Sequence, residues 1–252
     1  MPRIMLIVLL GVSLVASFTA FVAQADESAA PKDRSKDDKK ALAPIQRFVG
    51  GWRGVGLPDR NRGEEPWGEE AQWAWEFKDG RAAIVFDATD ARIYKAGHIA
   101  PSDAPGKPGI YTLTATLPDG KSTETFTGSV NKDDQLVFAA DKDFGPDRPA
   151  QITIRTVAQN NRLLVLYSRK NGNSFAKIAE VGYTRKGSNF ASKSTANECI
   201  VTGGEGDIKV EYKGKSYYVC CKGCLDAFKD EPDKVMAEYQ QKKAEEAKKK
   251  AK

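Results

Sequence analysis

The chain has 252 residues, a formal net charge of +5 and a single histidine. One histidine nearly excludes His-dependent triads and histidine-rich metal centres, and the weak charge gives no electrostatic case for nucleic acid as the main partner. All four cysteines, Cys199, Cys220, Cys221 and Cys224, fall near the C-terminus, so any sulfur chemistry belongs to that end.

The first 25 residues read as an export signal. Arg3 provides a basic start, Ile4 to Val22 are almost all apolar, and Ala23-Gln24-Ala25 supplies a small-x-small cleavage site before Asp26. An uncleaved anchor is the rival reading, because the apolar run approaches the ~18–20 residues needed to span a bilayer. Both readings place the folded part outside the cytoplasm, periplasmic or secreted, and cleavage leaves no stable membrane insertion. Residues 26–41 are mostly charged or small and read as a disordered linker. Leu42, Ile45, Phe48 and Val49 then recur at helical spacing, predicting one or two turns of helix.

From Trp52 to about Lys186 the period changes to two. Trp73, Trp75 and Phe77 share one face, Asp79-Gly80 turns, and Ala83 to Phe86 returns. Ile110 to Thr116, Ser122 to Val130, Gln135 to Ala140, Gln151 to Val157, Arg162 to Ser168 and Phe175 to Tyr183 continue the series. A meander of roughly eight to ten strands leaves exposed edges unless it closes, which predicts an antiparallel up-and-down barrel over residues 42–186. Leu57 to Glu70 and Gly97 to Gly109 read as Pro/Gly-rich loops at a barrel mouth, with His98 on the second and without a catalytic role. The four tryptophans read as core or rim, and no pair of acidic residues stands out as acid and base. The start Gly50-Gly51-Trp52 resembles the Gly-x-Trp opening of lipocalin-like barrels. That resemblance implies a short helix before the first strand and a tryptophan plugging one end.

Residues 187–197 are polar and aperiodic and read as a second linker. In 198–240, Ile208 to Tyr212 and Ser216 to Val219 alternate about Lys213-Gly214-Lys215, which predicts a hairpin ending at Cys220 and Cys221. After Gly223 the spacing of Cys224, Leu225 and Phe228 is helical, and Val235, Met236 and Tyr239 share a face of a terminal helix. Cys224 in a first helical turn is expected to have a lowered thiol pKa, since unpaired amides there favour the thiolate that binds metal. The lysines of 241–252 read as a solvated basic helical tail.

The run Tyr212-Lys213-Gly214-Lys215-Ser216-Tyr217-Tyr218-Val219-Cys220-Cys221-Lys222-Gly223-Cys224, followed by Phe228 and Asp230-Glu231-Pro232-Asp233-Lys234, resembles the YHS domain, a relative of the TRASH metallochaperone-like domains. The resemblance implies a small ββα-type module with a C-terminal helix and a three-cysteine metal site at Cys199, Cys220 and Cys224. Where the family often has a second cysteine and a proline in its first knuckle, this chain has Thr202 and Ile200. Cys221 is the spare sulfur for a fourth position, although adjacent residues on a strand point to opposite faces. Three sulfurs suit trigonal cuprous copper, or zinc completed by water or by a carboxylate such as Glu205 or Asp207.

The expectation is therefore a mainly β, exported, non-enzymatic protein that binds copper or zinc for sequestration, delivery or sensing. Three alternatives remain at this stage. Disulfides from Cys199 to Cys220 or Cys224 would staple the module. The barrel would bind a small apolar ligand, with the cysteine module as an accessory. Cys221 and Cys224 would form a thiol-disulfide redox pair, although the thioredoxin-like βαβ unit in which such pairs sit is missing.

Overall fold

The structure is a computed structural model that describes residues 33–60, 63–103, 109–187 and 197–250. The proposed export signal and most of the 187–197 linker lie outside the described residues.

Helix α1 spans Ser35–Leu42, so order begins well inside the stretch read as a disordered linker. The reason lies at Asp38, a charge that the composition counts as polar. Its carboxylate is buried and accepts bonds from Arg81 Nε at 2.7 Å and from the Ala82 amide at 3.1 Å. Leu42 is buried beside it, and a 3-10 helix, Ala43–Phe48, carries on from α1, burying Ile45 and Phe48. This is the helical entry expected from the spacing of Leu42, Ile45 and Phe48.

Ten antiparallel strands follow: β1 Gly50–Pro58, β2 Trp67–Lys78, β3 Arg81–Thr89, β4 Ala96–Pro101, β5 Ile110–Thr116, β6 Thr123–Val130, β7 Leu136–Ala140, β8 Gln151–Val157, β9 Arg162–Asn171 and β10 Ser174–Arg185. Each pairs with its sequence neighbours, and β1 closes on β10 through Trp52–Arg185 to Pro58–Ala179. The barrel is closed and up-and-down, so no strand edge is left over. Asp79 and Gly80 both have positive φ (50° and 67°), the twist a two-residue hairpin needs between β2 and β3.

Two stretches read as mouth loops are partly strand. Leu57 and Pro58 end β1, Trp67 to Glu70 begin β2, and Gly97 to Pro101 lie in β4. His98 is accordingly on β4, opposite Val85 and Thr114, with Nε2 3.5 Å from the Glu76 carboxylate. Glycine and proline suggested loops there, but ladder pairing on both sides of β4 outweighs local propensity.

The inward residues fill the barrel. Trp73, Phe86, Tyr94, Leu113, Ile152, Ile154, Val165, Tyr167 and Tyr183 surround a cavity of about 10 Å³, room for a water at most. Two inward carboxylates escaped the sequence reading. Glu69 accepts from Tyr183 Oη and Trp67 Nε1, and Glu124 from Tyr94 Oη and Arg148. Burial pushes the hydroxyls of Tyr94, Tyr167 and Tyr183 above the usual phenol range, so they remain donors. One end is capped by Trp52, whose indole donates to the Phe48 carbonyl at 2.8 Å beneath the Arg185 guanidinium.

After the barrel, short strands β11 Asn197–Glu198 and β12 Glu205–Gly206 pair with each other. The hairpin β13 Ile208–Tyr212 and β14 Lys215–Val219 turns at Lys213-Gly214 as expected. Helix α2 spans Lys222–Asp230, and Pro232 opens α3, Pro232–Lys250. The basic tail is thus the end of α3, where Lys242 and Lys243 pair with Glu198. Among the described residues no helix is long and apolar enough to cross a membrane.

Candidate metal centre

Three local structures bring the sulfurs together. Cys199 begins a tight loop: its amide donates to the Gly204 carbonyl at 2.7 Å, and the Gly203 amide returns to the Cys199 carbonyl at 2.8 Å. The Ile200 amide then bonds the Tyr218 carbonyl, pinning that loop beside β14. Cys220 follows directly on β14, and Cys224 sits in the first turn of α2.

The result is the convergence expected of Cys199, Cys220 and Cys224: their sulfurs all lie within 4.8 Å of one another. Cys220 and Cys224 sulfurs are 3.5 Å apart. That exceeds a disulfide bond of about 2.05 Å, and all four cysteines are free thiols. Three sulfurs about 2.3 Å from a shared zinc ion would stand about 3.8 Å apart in a tetrahedron and about 4.0 Å apart in a plane. The donor set and its spacing therefore fit a soft or borderline ion.

The fourth cysteine is placed differently. Cys221 caps α2 in an extended conformation (φ −162°, ψ 173°), and its sulfur accepts the Trp75 amide at 3.3 Å. Strand pairing explains why that amide is available. β1 starts at Gly50, opposite Trp73, so Trp75 on β2 extends beyond the β1 ladder. Cys221 takes up the donor there while lying 3.9 Å from the Cys220 sulfur, beside the three-sulfur group. Two residues on, Gly223 packs so closely that a Cβ would lie 1.8 Å from the Trp75 carbonyl oxygen. The start of α2 is thus docked closely on β2 at Trp75.

Charge in the cluster is shared through sulfur hydrogen bonds. Donation from Cys220 and Cys224, with help from Thr202, holds Cys199 far below the usual thiol range. Cys224 moves the other way: the neighbouring sulfurs of Cys199, Cys220 and Cys221 favour its protonated form, and burial adds to the rise. The helix-start effect expected at Cys224 is outweighed by these neighbours. Cys221 is also held low, by Cys220, Cys224 and the Trp75 amide, so the low thiols Cys199 and Cys221 alternate with Cys220 and Cys224, which keep their protons. Thr202, at the position of the missing knuckle cysteine, has its hydroxyl 3.7 Å from the Cys220 sulfur. The group includes no carboxylate; Glu205 and Asp207 instead act electrostatically on Arg185.

Access is one-sided. Cys199 and Cys224 are fully buried, whereas Cys220 is partly exposed and lines a pocket of about 510 Å³ between the 3-10 helix and the Thr202–Glu205 loop.

Residues 201–238 match the YHS domain. No curated protein matches the chain. Among solved structures, a similar one is Rv2717c from M. tuberculosis, at 16% identity over 58% of this chain and 97% of that chain, with a TM-score of 0.37.

Proposed function

We propose that this chain is an exported, non-enzymatic protein that holds one copper or zinc ion through Cys199, Cys220 and Cys224 for sequestration, delivery or sensing. The observation that carries the reading is the convergence of three sulfurs from a loop, a strand end and a helix start within 4.8 Å. The match of residues 201–238 to the YHS domain supports it. Thiolate donors suit cuprous copper and zinc better than hard cations, and three donors leave a position for exchange. Free thiols in an exported protein also need protection from oxidation, which a bound ion supplies.

The test is metal content of the reduced full chain, with each cysteine replaced by serine. Cys199→Ser, Cys220→Ser and Cys224→Ser should each lose most bound metal, while Cys221→Ser should keep it. Equal metal content in all four variants would remove the basis of the proposal.

A further inference from the structure

We infer that the outer face of the barrel formed by β1, β10 and β9 is a self-association surface, on which a second copy of this chain docks about a two-fold axis running across the strands; the inference is independent of the metal reading. Among the described residues three large apolar side chains are exposed, and two of them, Val55 and Leu57, are neighbours on β1 at 52% and 48% exposure. Strand register shows what surrounds them. Val55 stands opposite Gly182 on β10, and Gly182 opposite Leu164 on β9. In the next row Leu57, Glu180 and Leu166 are aligned in the same way. On the other side the row is Arg53, Thr184 and Arg162. All nine alternate with the buried positions of their strands, so they share the outward face. Gly182 lies on the middle strand, at the crest of the curvature. Its missing side chain flattens the face and lets Val55 and Leu164 reach a common plane.

Charge selects the occupant and its orientation. Glu180 and Arg162 have no ion-pair partner among the described residues. The Arg162 guanidinium instead lies over β10, 3.7 Å from where a Cβ of Gly182 would stand. Two copies can face each other about an axis along the strands or across them. The first sets Glu180 against Glu180 and Arg53 against Arg162. The second, passing through Gly182, sets the row of Val55, Gly182 and Leu164 on itself. Glu180 then lands on Thr184 of the second copy, between its Arg53 and Arg162. Leu57 and Leu166 cover the aliphatic stems of the same two arginines. Like charges across an interface are costly and opposite ones fix register, so the second arrangement is the one that forms. Arg155, opposite Leu164 on β8, meets its counterpart only at the rim, where the barrel curves away.

The contact is small. Three strands about 4.8 Å apart and three rows about 6.8 Å apart give a total burial on the order of 1,000 Å², the low end for specific association. A weak dimer follows, with a Kd of roughly 10–300 µM.

The experiment is sedimentation of the reduced full chain from about 1 µM to about 1 mM, which spans that range. Wild type should pass from monomer to dimer, and added salt should weaken the dimer. Val55→Glu, which sets two carboxylates together at the axis, should raise the Kd at least about tenfold, and so should Glu180→Arg. Combining Glu180→Arg with Arg162→Glu should restore most of the loss, a rescue that mere damage to the fold would not give. All three positions face outward, and unchanged thermal unfolding checks that each variant folds. A wild type that stays monomeric at about 1 mM overturns the inference and leaves the face to solvent or to a different partner. A dimer indifferent to Val55→Glu uses another surface and overturns it too. A double variant no better than Glu180→Arg alone overturns the proposed axis.

Discussion

Replacing Gly223 with alanine tests whether the barrel positions the three-cysteine cluster. The added Cβ would meet the Trp75 carbonyl oxygen at 1.8 Å and its carbon at 2.8 Å. Carbon atoms keep about 3.3 Å or more from carbonyl oxygens, so something must move by more than about 1 Å. The obstacle is backbone of β2, held by the β3 ladder from Glu70–Thr89 to Lys78–Arg81, so it is the start of α2 that must withdraw. Overpacking of this kind costs about 1–3 kcal/mol. Displacing α2 also lengthens the Trp75 amide to Cys221 sulfur bond, worth about 1 kcal/mol. Alanine returns up to about 1 kcal/mol through its better helix propensity. The net expectation is a loss of about 2 kcal/mol, with selective loss of amide exchange protection at Trp75 and in the 208–219 hairpin. Gly68→Ala, on the same strand with nothing within 4 Å of its Cβ, is the control and should change stability by less than about 0.5 kcal/mol. Unchanged protection at Trp75 in the Gly223 variant would show that the contact does not fix the module.

Metal uptake should depend on pH in a defined direction. Cys199 is already held low, whereas Cys220 and Cys224 are pushed up and carry protons that an ion must displace. Apparent affinity should therefore rise with pH by up to about two log units per pH unit and fall on acidification, with proton release measured in weak buffer. Asp38→Ala should destabilise the chain by about 2 kcal/mol, because it strands the buried Ala82 amide and leaves Arg81 only its exposed partner Asp103; the value is discounted for the partial exposure of Arg81 and read by denaturant titration.

Much of the barrel was legible because its signals are local. Alternation in Trp73-Ala74-Trp75-Glu76-Phe77 and the Asp79-Gly80 turn fix a strand, a face and a hairpin without reference to the rest of the chain. The convergence of Cys199, Cys220 and Cys224 was legible from residue type and from the hairpin and helix that flank them. What escaped depends on contacts distant in sequence. The start of α1 is ordered by Arg81, 43 residues away from Asp38. Glu69 and Glu124 look like ordinary solvent-facing acids until Tyr183 and Tyr94 close over them. The role of Cys221 is set by an amide 146 residues away. The pKa direction at Cys224 was misjudged because helix position is visible in a sequence and sulfur neighbours are not.

The docking at Trp75 answers a question that module size raises. A segment of this length rarely builds a core strong enough to fold alone, and exported modules often compensate with disulfides. Here the sulfurs are free, and the buried Ile200, Val210, Val219, Phe228 and Met236 belong to one apolar cluster with the barrel residues and the helical entry. Lys39 of α1 adds bonds to Glu238 and the Val201 carbonyl. The barrel thus supplies the surface against which the module packs, and that surface is expected to hold the hairpin in the full chain without metal. The two forms should differ under chelation. The full chain should keep exchange protection along 208–219, whereas an isolated 197–250 segment, deprived of that surface, should lose it when metal is removed and regain it on addition. A segment that stays protected without metal would show that the module has a sufficient core of its own, and the structural role assigned to the barrel would fall.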